Sequence, residues 1–111
     1  MPRPSTVLRS AVDFSPLAQT MMESRSLRVI GRVHGVGFRW FVYHAAKREG
    51  ITGFARNEPD GSVEIVAEGD QEALSRFEAA VRGGPARARV DAVDCEIGPA
   101  SGAYADFSIR G

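Results

Sequence analysis

The segment Gly31–Arg39 constrains the fold most, because the hydrophobic pattern changes there from the repeat of a strand to the repeat of a helix. Before it, apolar and polar residues alternate from Leu27 onward. After it, apolar residues recur at helical spacing, at Phe38, Phe41, Val42, Ala45 and Ala46. Three glycines lie within the segment. The sequence therefore predicts a strand, a glycine-rich turn and a helix that ends at Gly50.

A glycine-rich passage from strand to helix is also a typical anion-binding site. The first N–H groups of a helix have no carbonyl partner within that helix. Arg39 adds a planar set of donors that suits two phosphate oxygens. A cation in the first helical turn opposes the helix dipole by a few tenths of a kcal/mol to about 1 kcal/mol. Arg39 is therefore unfavourably placed unless an anion binds beside it.

The rest of the chain adds four strands and one helix. The strands are predicted at residues 51–57, 63–68, 87–97 and 105–109. The helix is predicted to begin after Asp70, a suitable N-cap, and to end at Gly83-Gly84-Pro85. The order β-α-β-β-α-β predicts an α+β, ferredoxin-like sandwich, with two helices on one face of an antiparallel four- to five-stranded sheet. The other face is expected to expose Arg28, Arg32, Glu64 and Glu68 to solvent.

Residues 1–26 differ from this regular pattern. They show neither a strand nor a helix repeat, and they contain three prolines and several serines. We expect a disordered N-terminal extension over 1–26 and a folded domain over 27–111. Translation from Met21 or Met22, just before the regular pattern, is an alternative explanation.

Composition excludes several classes of protein. The chain has 111 residues, enough for one domain, and its 14 basic residues balance 14 acidic ones. A nucleic-acid or membrane-surface protein normally has a basic excess. The single cysteine, Cys95, excludes an internal disulfide and a multi-cysteine metal site, and it fits a reducing compartment. No apolar run approaches the ~20 residues that cross a bilayer.

Two separated segments resemble the signature of the acylphosphatases. They are Gly31–Arg39 and Gly53–Asn57, the second followed by Gly61. The Gly84-Pro85…Val90 pattern and the ending Phe107–Arg110 are also similar to that family, so the resemblance covers about residues 27–110. It implies a ferredoxin-like fold and a hydrolase that splits carboxyl-phosphate anhydrides into a carboxylate and phosphate without metal or cofactor.

The resemblance also implies roles for particular residues. The loop 34–38 would hold the phosphoryl group, Arg39 would bind it, and Asn57 would position the attacking water. The implied phosphate-binding residues are His34, Gly35, Val36, Gly37, Phe38 and Arg39. We expect a small-molecule acyl phosphate as substrate and a cytoplasmic monomer with no cofactor, nucleic-acid partner or membrane partner.

The chemistry of the loop is consistent with this substrate. An acyl phosphate leaves as a carboxylate, whose conjugate acid has a pKa near 4, so it needs no general acid. Phosphoryl transfer depends mainly on positioning and charge stabilisation. An alkyl phosphate would need a proton or a metal at its leaving group. The sequence places no second thiol, histidine cluster or carboxylate pair beside the loop.

Four residues depart from the family pattern. His34 stands where glutamine is usual, Phe54 where tryptophan is usual, and Gly111 where an aromatic residue commonly stands. We expect the His34 side chain to be solvated. Glu58 follows Asn57 where an uncharged residue is common, and it would either repel an anionic substrate or point into solvent.

Two other functions are alternatives for this sequence. A non-catalytic acylphosphatase-like module would bind anions without turnover, although Arg39 and Asn57 argue against it. An RNA-recognition-type domain shares the element order, and Gly35-Val-Gly-Phe38 is similar to its glycine-aromatic motif. That motif belongs on the third strand, however, and here residues 63–68 contain no aromatic side chain. We reject the RNA-binding reading for that reason and for the zero net charge.

Overall fold

The protein is an α+β sandwich of two helices and five strands in a computed structural model that describes residues 22–111. In chain order the elements are β1 Met22–Arg32, α1 Phe38–Glu49, β2 Thr52–Asn57, β3 Val63–Asp70, α2 Gln71–Gly83, β4 Arg89–Pro99 and β5 Phe107–Arg110. The predicted ferredoxin-like order is confirmed. Residues 1–21 of the predicted extension lie outside the described residues. No helix among residues 22–111 has the length and apolar character needed to span a membrane.

The five strands form one sheet in the order β4-β1-β3-β2-β5. Four of them pair antiparallel, as predicted, but β5 pairs parallel with β2. The prediction of a wholly antiparallel sheet is therefore wrong at this edge. The reason is topological. Strand β4 finishes at the same end of the sheet at which β2 starts. The chain crosses the sheet at that end, so β5 starts beside the start of β2 and runs in the same direction.

Both helices pack on one face of the sheet and bury a continuous apolar core. The largest fully buried side chains are Phe38, Phe77, Leu27, Ile65, Leu74, Val29, Val33, Val42, Val63 and Val81. Helix α2 begins where the sequence predicts, since the Asp70 carboxylate accepts hydrogen bonds from the backbone N–H groups of Glu72 and Ala73. Helix α1 ends at Gly50 in a left-handed conformation.

Strand β1 begins at Met22, five residues before the predicted start at Leu27. The predicted boundary of the extension at residue 26 therefore lies inside a strand. Arg25 explains the difference, because the residue is 8% exposed and its guanidinium donates to Glu23, Glu78 and Ser75 at 2.7, 2.9 and 3.2 Å. A buried arginine interrupts the alternation of apolar and polar residues. The hydrophobic pattern therefore did not predict residues 22–26 as part of the strand.

The prediction for the helix-free face is wrong at Glu68, which is 5% exposed. Its carboxylate accepts hydrogen bonds from the Ser101 N–H and hydroxyl, at 3.0 and 2.7 Å, and from the Gly102 N–H at 3.0 Å. The segment that crosses from β4 to β5 thus covers this carboxylate. Arg28 and Arg32 are exposed as predicted, and Glu64 is half-buried.

Candidate active site

The two segments that carry the sequence signature meet at one end of the sheet. Strands β1 and β2 both run antiparallel to β3, and Val29 and Asn57 flank the same β3 residue, Val63. The carboxyl ends of β1 and β2 therefore lie at the same end, and β5 ends there too because it is parallel to β2. Helix α1 begins at this end, directly after the loop that follows β1.

The loop before α1 presents an uncapped helix start. Gly35 and Gly37 have φ of +72° and +73°, which glycine adopts without strain. Gly37 is the N-cap of α1, with no side-chain hydrogen bond to the first turn and no acidic residue within that turn. The start of α2 differs, because Asp70 caps it. The N–H groups of the first turn of α1 therefore lack the side-chain acceptor that α2 has, and they favour an anion.

Apolar side chains fix the loop before α1 to the core, and the loop glycines face open space. The Phe38 side chain is 1% exposed, and Val36 packs against the core. A Cβ atom added at Gly35 or Gly37 would meet no heavy atom within 4 Å. There is space above the backbone for a ligand group.

The His34 side chain is tethered, so the expectation of a solvated histidine is wrong. Its Nε2 atom lies 2.8 Å from the carbonyl oxygen of Ser62, in the turn between β2 and β3. Ser62 is itself held, because its N–H and hydroxyl both donate to the Asp60 carboxylate. The contact joins the loop after β1 to the turn after β2. Contact of His34 with a phosphoryl group stays a prediction.

Arg39 is held by backbone rather than by a carboxylate. Its Nη1 atom donates to the carbonyl oxygen of Arg110 at 2.8 Å, and among residues 22–111 it forms no salt bridge. The Arg110 guanidinium in turn lies 4.1 Å from the centre of the Phe54 ring. This carbonyl contact could not be predicted from the sequence, since every residue type carries the same backbone acceptor.

Asn57 lies next to this anchor, because Arg110 pairs with Arg56 in the sheet. The Asn57 Oδ1 atom is buried and has no hydrogen-bond partner among the described residues. Asn57 shares the helix-facing side of β2 with the buried residue Ala55, so its amide lies on the same side of the sheet as α1. A buried unpaired acceptor costs about 1–3 kcal/mol, which favours a water in this position.

Glu58 is neither a free carboxylate in solvent nor an unpaired charge. The Arg56 Nε atom donates to Glu58 Oε2 at 2.9 Å, and the same guanidinium also pairs with Glu64. These hydrogen bonds, that to Glu58 being the strongest influence, raise the pKa of Arg56. The ion pair reduces the repulsion that Glu58 would exert on an anionic substrate.

Cys95 is not placed to act as a nucleophile in this site. It lies on β4, at the opposite edge of the sheet from β2 and β5. Burial and the neighbouring Glu78 carboxylate raise the pKa of its thiol. Within residues 22–111, no group of three or more His, Cys, Asp or Glu side chains is arranged to hold a metal ion.

Comparison with known proteins identifies the family. The family model described as Acylphosphatase matches residues 25–109. The chain is 46% identical to an acylphosphatase of Salinibacter ruber, over 83% of this chain and 98% of that protein. It is 44% identical to an acylphosphatase of Lactobacillus johnsonii, over 79% of this chain and 98% of that protein.

Solved structures agree in fold and length. The crystal structure of acylphosphatase from Bacillus subtilis has a TM-score of 0.77 at 37% identity, covering 82% of this chain and all of that one. An acylphosphatase from Coxiella burnetii has the same TM-score at 30% identity, covering 84% of this chain and 97% of that one. The chain, with its uncapped helix start and the segments around Arg39 and Asn57, belongs to the acylphosphatase family.

Proposed function

We propose that this acylphosphatase cleaves its substrate by direct attack of water on phosphorus, with the loop 34–38, Arg39 and Asn57 as the catalytic site. The substrate class is the carboxyl-phosphate mixed anhydrides, and the products are a carboxylate and inorganic phosphate. Family membership supports the reaction. The geometry of the described residues supports the assignment of roles that follows.

The loop and Arg39 bind the phosphoryl group. The open N–H groups at the start of α1 donate to its oxygens, and the glycines at positions 35 and 37 let the backbone approach them closely. Arg39 contributes the remaining donors while one of its nitrogens stays on the Arg110 carbonyl. In phosphoryl transfer the charge is spread over the equatorial oxygens, so these donors stabilise the transition state.

Asn57 orients the nucleophile. Its unpaired Oδ1 atom accepts a hydrogen bond from a water molecule, whose oxygen then attacks phosphorus. The new P–O bond forms as the bond between phosphorus and the acyl oxygen breaks, and the electron pair leaves on the carboxylate. The proton released by the water goes to the phosphate product. The carboxylate needs no proton at this stage, because its conjugate acid has a pKa near 4.

The single observation that carries the proposal is the buried, unpaired Asn57 Oδ1 atom at the end of the sheet where the uncapped helix α1 begins. A module that only binds anions gains nothing from a buried acceptor, since an acceptor repels an anion and costs stability. A hydrolase needs such an atom to hold water. The observation therefore favours turnover over the non-catalytic alternative.

Three finer properties belong to the same proposal. We expect hydrolysis to proceed without a metal ion, because backbone N–H groups and Arg39 supply the positive field. We also expect the enzyme to be a monomer and to be cytoplasmic, a location that fits a chain whose single cysteine can form no internal disulfide.

The test is hydrolysis of benzoyl phosphate in excess chelator. The wild type should stay active, Arg39→Ala should lose ~10³-fold or more in kcat/KM, and Asn57→Ala should lose ~10²–10³-fold. Arg48→Ala is a matched control, because it removes the same charge from the exposed far end of α1. An inactive wild type, or full activity in both site variants, would refute the mechanism. Phosphate binding by an inactive wild type would identify the non-catalytic module instead.

A further inference from the structure

Trp40 is an unusually exposed large apolar side chain beside the phosphoryl site. It is 60% exposed and directly follows Arg39 in the first turn of α1. The other large apolar side chains that the described residues expose are Met22, Ile30 and Ile97. Ile97 pairs with Arg25 near the start of β1, so it and Met22 lie at the other end of the sheet. Ile30 alternates with buried Val29 and faces the helix-free side. Trp40 alone among these four belongs to the site.

The Trp40 ring is held in place by its neighbours. Tyr43 meets it edge-on at 5.5 Å between ring centres, and His44 lies at 6.2 Å with a tilt of 31°. Tyr43 also packs against the core, and Lys47 lies 5.9 Å from its ring centre. These contacts support one side of the indole and leave much of it in water. Ordering an exposed aromatic surface in this way favours binding over a purely structural role.

The direction of the Trp40 side chain brings it toward the substrate. Side chains on a helix lean toward its N-terminus and cover the preceding turn. Trp40 is the third residue of α1, so its ring leans toward the loop 34–37. The core-facing side of the helix is formed by Phe38, Val42 and Ala45, which places Trp40 on the outer side. The indole therefore borders the phosphoryl site on its solvent side.

The reaction axis ends on that same side. Attacking and leaving oxygens are roughly in line across phosphorus. In the proposed mechanism, the water that Asn57 holds attacks from the sheet side, and the acyl group therefore leaves on the side away from the sheet. The loop and Arg39 offer N–H donors to the phosphoryl oxygens, and the apolar loop side chain Val36 packs against the core. The nearby apolar surface for that group is the exposed indole.

We propose that Trp40 forms an acyl-group subsite that favours aromatic acyl phosphates over acetyl phosphate. The proposal rests on the proposed function, since it assigns the other half of the same substrate. Trp40 acts on substrate binding and not on the chemical step. Its loss should therefore raise KM for an aromatic substrate much more than it lowers kcat.

The first experiment compares benzoyl phosphate with acetyl phosphate. Trp40→Ala should lower the ratio of their kcat/KM values by about two- to tenfold, the range of an aromatic pair. Trp40→Phe should restore most of that ratio. Ile97→Ala is the control, because it removes a side chain that is 62% exposed at the other end of the sheet, and it should leave the ratio unchanged. An unchanged ratio in Trp40→Ala would overturn the subsite.

The second experiment separates failure of the subsite from failure of the reaction. Trp40 is the only tryptophan of the chain, so its fluorescence reports contact with a bound acyl group. Benzoylphosphonate and acetylphosphonate keep the acyl and phosphoryl groups but have a P–C bond that water does not split. Benzoylphosphonate should bind more tightly, by calorimetry, and change the emission more. Even with no hydrolysis of either phosphate, that preference and its loss in Trp40→Ala would support the subsite. The subsite would be overturned if the two phosphonates bound equally tightly or if neither bound. It would also be overturned if Trp40→Ala changed the oligomeric state but not the preference.

Discussion

At the scale of single residues, the site holds two side chains that are unfavourable for stability but suited to phosphoryl transfer, Arg39 and Asn57. Arg39 lies where the helix dipole disfavours a cation, and its guanidinium donates a hydrogen bond to the Arg110 carbonyl rather than to a carboxylate. Asn57 keeps a buried acceptor without a protein partner. Both are unfavourable in a protein that binds nothing and both are useful in a phosphoryl site.

Asn57→Ala should separate stability from activity. Removal of an unpaired buried acceptor should leave the free energy of unfolding unchanged or raise it by up to about 3 kcal/mol, because no protein hydrogen bond to Oδ1 is lost and the cost of burying that atom disappears. Activity should nevertheless fall by ~10²-fold or more. Urea unfolding and benzoyl phosphate kinetics on the same samples measure both. A loss of more than about 2 kcal/mol would mean that the amide has a structural role instead.

At the scale of elements, two glycines are required by close backbone contacts and not by the site. Gly31 lies at an irregularity in the pairing of β1 with β4, with φ of +143°. A Cβ atom there would lie 2.1 Å from the Arg89 carbonyl oxygen. Gly53 has a φ of +134°, and a Cβ atom added there would lie 1.8 Å from the carbonyl oxygen of Val66. Each glycine of the sequence signature therefore needs its own explanation, since Gly35 and Gly37 face open space.

Gly31→Ala should destabilise the fold by at least about 2 kcal/mol, because strain at positive φ and the clash with backbone act together. Gly98→Ala is the matched control in β4. It lacks a positive φ and has nothing within 4 Å of an added Cβ, so it should be neutral or stabilise by up to about 1 kcal/mol. Chemical denaturation of both variants tests this. Equal effects would contradict the contact argument.

The segment between β4 and β5 gives the fold a pH dependence through Glu68. Burial raises the pKa of this carboxyl, but the hydrogen bonds from Ser101 and Gly102 lower it by more, and the net shift is downward. A group with a lowered folded pKa contributes stability above its unfolded pKa, about 4.3 for Glu. That contribution is lost as the pH falls through the lower, folded value.

Glu68→Gln should therefore be less stable than the wild type at pH 7, because the charged acceptor of three hydrogen bonds is gone. The difference should shrink as the pH falls below about 4.3. Glu96→Gln, at an exposed position of β4, is the control and should change stability little at either pH. Urea midpoints between pH 3 and 7 measure the effect. A difference that stays constant across this range would exclude the carboxylate as its source.

At the scale of the whole molecule, local chemistry was predictable and contacts between distant segments were not. The α2 cap at Asp70, the stop at Gly50 and the loop before Arg39 follow from residue types within a few positions. The contacts of Arg25 with Glu78, of Glu68 with Ser101 and of His34 with Ser62 join residues 53, 33 and 28 positions apart. Only the folded chain brings these partners together. The parallel pairing of β5 has the same origin, since it depends on how the chain crosses the sheet.

The balance of charge also acts at this scale. Several arginines on or near the helix-free face are paired with carboxylates, as in Arg56 with Glu58 and Glu64, and Arg28 with Asp60. Among residues 22–111, seven of the twelve arginines and lysines form such ion pairs. Long-range attraction of an anion is consequently weak, and affinity for phosphate must come from the start of α1 and Arg39.

Phosphate should therefore stabilise the whole fold through this one site. A ligand that binds only the folded state adds about 2.7 kcal/mol at 100 times its Kd, and thermal unfolding in phosphate should show the corresponding rise in Tm. Chloride at equal ionic strength controls for screening. Arg39→Ala should abolish most of the rise, whereas Arg48→Ala, at the other end of the same helix, should keep it. An equal rise in both variants would place phosphate binding elsewhere, and no rise in the wild type at millimolar phosphate would contradict the anion site itself.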